Sequence, residues 1–103
     1  MAKILRHVVL FSFNDGTSEA DIEDIRTTFA NLKGQIDGIL SIETGADVSN
    51  EGLQDGFTHC FQVTWPDEEA RAVFQPHPAH KAFVDKVGPH VAKVVVIDYW
   101  TEA

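Results

Sequence analysis

Apolar residues along this chain alternate with a period of two over some stretches and recur at helical spacing over others. Residues 4–13, ILRHVVLFSF, carry β-branched and aromatic side chains without glycine or proline and predict a first strand. One phase is Leu5, His7, Val9, Phe11 and Phe13; the other is Ile4, Arg6, Val8, Leu10 and Ser12. Both phases are largely apolar, so both faces of this strand are expected to be covered. After the turn signal Asn14-Asp15-Gly16, Thr17 or Ser18 can cap a helix whose first turns hold Glu19, Asp21 and Glu23, as the positive end of a helix favours. Ile22, Ile25, Phe29, Leu32 and Ile36 follow at helical spacing, and Gly34 marks the expected end.

A second strand is predicted over 38–47, through Ile39, Leu40 and Ile42, followed by a polar loop over 48–56. Phe57 to Trp65 reads as a third strand, with His59, Phe61 and Val63 on one phase and Cys60 on the other. Pro66 ends it, and Asp67-Glu68-Glu69 opens a short helix reaching Phe74. Pro76 and Pro78 break that helix, and Pro78 suits the first turn of another that carries His80, Phe83, Val84 and Val87. Gly88-Pro89 stops this helix, and Val91 to Trp100 forms a fourth strand. Its uninterrupted Val94-Val95-Val96-Ile97 implies burial on both faces.

The order β-α-β-β-α-β predicts an α+β, ferredoxin-like fold: a four-stranded antiparallel sheet with helices on one face. Val8, Leu10, Val95, Ile97 and Tyr99 then fall on the other face, and no segment remains to cover them. A second copy of the chain is the economical cover, so a homodimer through the open sheet face is expected.

With 103 residues, the chain is expected to be a single domain spanning 1–103. Its 8 basic and 16 acidic residues give a net charge of −8, which disfavours nucleic acid and anionic membrane surfaces as partners. The N-terminus shows no signal peptide, and no apolar run approaches the ~18 residues of a membrane span. A cytoplasmic protein is the expectation. The single cysteine, Cys60, excludes an intrachain disulfide and a cysteine-based zinc site, and it is expected to be an inert packing residue.

Candidate chemistry lies in the histidines. Pro76-His77-Pro78-Ala79-His80 places one at the start of a helix, and His7 and His59 interrupt apolar strand phases. Neutral imidazoles in an apolar pocket suit proton transfer near neutral pH. His7 and His59 either orient a carbonyl-bearing ligand or are core histidines with satisfied ring nitrogens. His80 is either a general base or a pin between helix and sheet. His77 is expected to stabilise the turn, and His90 to lie at the surface. A zinc site built from His7, His59 and His80 has no HxH or HExxH signature behind it, and no metal is expected.

His7-Val8-Val9-Leu10-Phe11, Gly56-Phe57-Thr58-His59, Val63-Thr64-Trp65, His77-Pro78-Ala79-His80 and Val96-Ile97-Asp98-Tyr99 resemble, in order and over nearly the whole chain, the stress-responsive A/B barrel domain (Dabb) family of the dimeric α+β barrel superfamily. The resemblance implies a homodimer whose two sheets form a barrel, no cofactor, and a small hydrophobic metabolite held between sheet and helices. One plant branch includes a polyketide cyclase. By similarity to it, an alternative reading is a cofactor-free cyclase-like lyase or isomerase with His80 as general base and Asp98 as its orienting partner. The pocket would be lined by His7, His59, Phe11, Phe61 and Phe74. Phe74 stands where that cyclase has a tyrosine, and phenylalanine cannot donate a hydrogen bond to a developing oxyanion.

Overall fold

A computed structural model describes residues 2–103. Strand β1 (Lys3–Phe13) is an inner strand of the sheet, flanked on one side by β3 (His59–Trp65) and on the other by β4 (Val91–Glu102); β2 (Ser41–Ala46) pairs with the far side of β3. The order β2-β3-β1-β4 is antiparallel throughout, the arrangement predicted for the ferredoxin-like class. Across the two central ladders His7 faces Val63 and Asp98, and Val9 faces Phe61 and Val96. Residues directly opposite one another share a face of the sheet, so these ladders decide which side chains meet.

The helices α1 (Glu19–Ala30), α2 (Glu68–Phe74) and α3 (Pro78–Val87) all lie on the face that carries Leu5, Val9 and Phe11. Ser18 caps α1: its hydroxyl accepts from the Asp21 N–H at 3.0 Å, and the Asp21 carboxylate accepts in return from the Ser18 N–H at 3.2 Å. These bonds hold the Asp21 carboxyl below the ordinary carboxylate range. The α-helix ends at Ala30 and passes into a 3-10 turn, Asn31–Gly34. Leu32 and Ile36 still reach the core with Ile25 and Phe29. Asp67 caps α2 by accepting from the Ala70 N–H at 2.9 Å. Pro76 and Pro78 separate α2 from α3 as expected, and His77 is the cap of α3, its Nδ1 accepting from the Ala79 N–H at 3.0 Å.

Two strands are shorter than their patterns suggested. β2 begins at Ser41 rather than 38, because Gly38 takes a positive φ of 94° and turns the chain before Ile39 enters the core. β3 begins at His59 rather than Phe57, since Thr58 still belongs to the loop and donates its N–H to the Phe11 carbonyl at 2.9 Å. β4 differs more. On its helix side Val94 and Val96, expected to be buried, and Trp100 are each about half exposed, whereas the exposed Ile97 and Tyr99 lie on the open face expected to meet a second copy. The reason is position: β4 is an edge strand with one neighbour, and the helices leave part of it uncovered.

Arg6, Val8 and Leu10 share the open face with Tyr99, Ile97 and Val95, their partners on β4. Cys60 sits opposite Leu10 on that face, and burial followed by the Glu43 carboxylate pushes its thiol up, which suits an unreactive packing residue. Among the described residues no helix is long and apolar enough to cross a membrane.

Gly38 has a second constraint: a Cβ there would lie 3.0 Å from the Ala70 Cβ on α2. Gly38→Ala is therefore expected to destabilise the fold by about 1–3 kcal/mol, from backbone strain and this close approach together. Denaturant titration at fixed protein concentration checks it, and an unchanged midpoint would show that the turn is not constrained.

Candidate functional site

A histidine in the middle of an apolar strand needs an acceptor for its ring N–H. The β1–β4 register supplies one for His7. Asp98 lies directly across the ladder, and its Oδ1 is 2.6 Å from His7 Nδ1. The other carboxylate oxygen, Oδ2, accepts from Arg71 Nη1 at 3.0 Å. All three groups are largely withdrawn from solvent, with side-chain exposures of 14% for His7, 22% for Asp98 and 28% for Arg71. A carboxylate oxygen that accepts here requires the proton on Nδ1, and in the neutral imidazole that leaves the lone pair on Nε2. The His7 ring packs on the buried Trp65 at 5.1 Å between centroids and on the edge of Phe74 at 6.1 Å.

His80, in the first turn of α3, is anchored in the same sense. Its Nδ1 lies 3.0 Å from the Gln75 carbonyl oxygen, which can only accept, so Nε2 is again the free nitrogen. Phe74 links the two histidines: its ring is 4.4 Å from the His80 ring and also contacts Trp65 at 5.2 Å. His7 and His80 thus both contact one phenylalanine, each with its Nδ1 held.

Both rings line a cavity of about 460 Å³ between α3 and the β1–β4 half of the sheet. Phe11, Phe29, Phe74 and Phe83, with Val84 and Val87 of α3 and Val91, Val94 and Val96 of β4, form its apolar wall. Val84, Val94 and Val96 on the wall are each about half exposed, so the cavity reaches the surface. The phenylalanines Phe29, Phe74 and Phe83 frame this space rather than fill it.

Of the residues named from sequence, the structure gathers His7, His80, Phe11 and Phe74 around the cavity and ties Asp98 to His7 from behind. Three placements correct the expectation. Asp98 does not pair with His80, because the strand register gives its carboxylate to His7 while His80 turns to the Gln75 carbonyl. His59 does not line the cavity and is far from His7: it lies opposite Phe11, four residues along β3 from Val63, the partner of His7, about 13 Å at strand rise. There its Nδ1 is 2.8 Å from Thr58 Oγ1, its ring packs on Phe13, and it borders a separate hollow with Leu10, Asp47, Leu53 and Cys60. Phe61 is wholly buried under Phe11 and Phe29 and does not reach the cavity. The histidines therefore do not converge on a metal, and among the described residues no group of three or more His, Cys, Asp or Glu is placed to hold one.

Arg71 escaped the sequence reading. The available signal was a lone cation three residues before Phe74 on the short α2, on the same side of the helix. Val94 and Val96 were assigned to the strand without the cavity wall they form.

An antiparallel sheet with helices on one face, and a histidine-walled cavity between them, places the chain in the ferredoxin-like α+β class. The chain belongs to the stress responsive A/B barrel domain (Dabb) family, whose model matches residues 5–101. It is 41% identical over 95 residues to the stress-response A/B barrel domain-containing protein HS1 of Arabidopsis thaliana, covering 92% of this chain and 87% of that one. It is 30% identical over 95 residues to olivetolic acid cyclase of Cannabis sativa, covering 92% and 94%. Among solved structures, hydroxynitrile lyase from Passiflora edulis superposes with a TM-score of 0.89 at 26% identity, over 96% of this chain and 94% of that one. A dimeric ferredoxin-like protein from Thermobifida fusca superposes with a TM-score of 0.79 at 25% identity, over 96% and 92%.

Phe74 is 1% exposed and touches Trp65 and both histidines. Phe74→Ala is expected to cost about 3–5 kcal/mol and to loosen both imidazoles. Denaturant melts give the first quantity, and the line widths of the two histidine ring signals report the second.

Proposed function

We propose that this protein is a homodimer that holds a small hydrophobic compound, bearing a hydroxyl or carbonyl group, in the cavity between α3 and the sheet. The observation that carries this reading is the apolar cavity of about 460 Å³ with two imidazoles on its wall, each anchored at Nδ1. The volume lies within the range of small-molecule sites, and a few oriented polar groups on an apolar wall are how such sites fix one ligand orientation. Titration calorimetry with resorcinol and benzaldehyde tests it. Saturable binding that is lost in Val84→Phe, which narrows the cavity at its rim, is the expected result; no saturable binding of either compound would overturn the reading.

The dimer reading rests on the open face. Ile97 and Tyr99 are 57% and 42% exposed there, beside Val8, Leu10 and Val95, and this apolar sheet surface has no cover among the described residues. The dimeric relative from Thermobifida fusca supports it. Ile97→Asp is expected to shift the species seen by analytical ultracentrifugation from dimer to monomer. A monomeric wild-type chain would refute the assembly.

A second reading is favoured by the anchored rings: a cofactor-free lyase using a histidine base. His7, oriented by Asp98, is the better-placed base, with His80 beside it. Phe74 offers no hydroxyl to an oxyanion, which fits a reaction begun by removing a hydroxyl proton better than one that must stabilise an enolate. For a hydroxynitrile, the imidazole Nε2 takes the hydroxyl proton, the oxygen forms the carbonyl, and the bond to the nitrile carbon breaks. Cyanide leaves with the electron pair and recovers the proton from the imidazolium. If wild type cleaves mandelonitrile, His7→Ala is expected to lower the rate by about 10²–10⁴-fold. Retention of full activity in His7→Ala, with loss in His80→Ala, would move the base to His80.

A further inference from the structure

The site contains a cation that neither the anchored imidazoles nor the cavity wall accounts for. Arg71 lies outside the cavity lining, yet its guanidinium reaches Asp98 Oδ2 at 3.0 Å while His7 Nδ1 lies 2.6 Å from Oδ1. The three residues come from three elements, α2, β4 and β1, and meet at one carboxylate. A carboxylate held at only one oxygen can turn about its bond to the backbone or accept the shared proton. A carboxylate held at both by charge-assisted donors is fixed in plane. Arginine suits this place because it donates only and stays protonated at any pH the fold meets.

We propose that Arg71 is a positioning residue: by occupying Asp98 Oδ2 it holds the carboxylate so that the proton of His7 stays on Nδ1 and Nε2 remains the acceptor on the cavity wall. This rests on the reading of His7 as the cavity's polar anchor and adds the element that sets its tautomer. The helix that carries Arg71 is itself well fixed. Asp67 caps it, Gly38 packs against Ala70, and Phe74, three residues on, packs against both imidazoles. One seven-residue helix thus holds the site from behind through a charge and from the side through a ring.

The test reads the His7 ring directly. In the ¹⁵N spectrum of the histidine-labelled full chain, wild type is expected to show one protonated nitrogen, Nδ1. Arg71→Met and Arg71→Ala, which remove the donor from a side chain already 28% exposed, are expected to give a mixture of the two tautomers. Arg71→Lys, which restores a cation, should return the signal toward wild type. Resorcinol affinity should fall about tenfold in Arg71→Met and recover in Arg71→Lys, the scale of one charge-assisted hydrogen bond. An unchanged His7 tautomer in a folded Arg71→Met or Arg71→Ala chain would overturn the proposal. If wild type binds no resorcinol, the ligand reading fails, and the tautomer spectra still decide the role of Arg71.

Discussion

The hydrogen bond from His7 to Asp98 is the contact on which the site depends. An imidazole placed among Leu5, Val9 and Trp65 would cost the fold dearly if its N–H had no partner, and a carboxylate in the same surroundings would cost more. Each resolves the other's problem, and Arg71 balances the charge that remains. Removing one member leaves a group withdrawn from water without its partner, the costly case for such pairs. The bond also ties the middle of β1 to β4, across the ladder that forms one wall of the cavity.

Much of this architecture was legible in the residues. The alternation in 4–13, the capping serine before an acidic turn, and the two prolines around His77 each have a local physical cause. The chain follows all of them. The open face was legible too, because an apolar phase opposite the helices has nowhere else to go. Strand ends were harder. Ile39 and Phe57 are apolar and fit a strand pattern, but the backbone at Gly38 and the Thr58 contact to Phe11 decide where pairing starts.

The site was legible by residue type and not by partnership. Phase told which histidines face the helices, and His7 and His59 do share that face. It could not say how far along the ladder each one sits. That distance is set by register, and register puts His59 opposite Phe11, four residues of strand from the partner of His7. The same limit assigned Asp98 to the wrong histidine. A carboxylate on β4 and an imidazole on α3 both belong near the sheet, but only the pairing of Asp98 with His7 makes one histidine its neighbour. Arg71 was missed because a cation on a short helix ordinarily reads as solvated surface.

The alternation along β4 has a consequence for how this chain can vary. Val94 and Val96 line the cavity, while Val95 and Ile97 belong to the open face. Two demands are therefore written on alternate letters of one short word. Exchange of a single residue in it alters the shape of the cavity or the character of the open face, and leaves the other intact. A change in length does neither cleanly. One added or deleted residue before Asp98 would trade the two sets of side chains and carry the carboxylate away from His7 at the same time. Relatives with different ligands are therefore expected to differ here by substitution, with the spacing from Val94 to Asp98 kept.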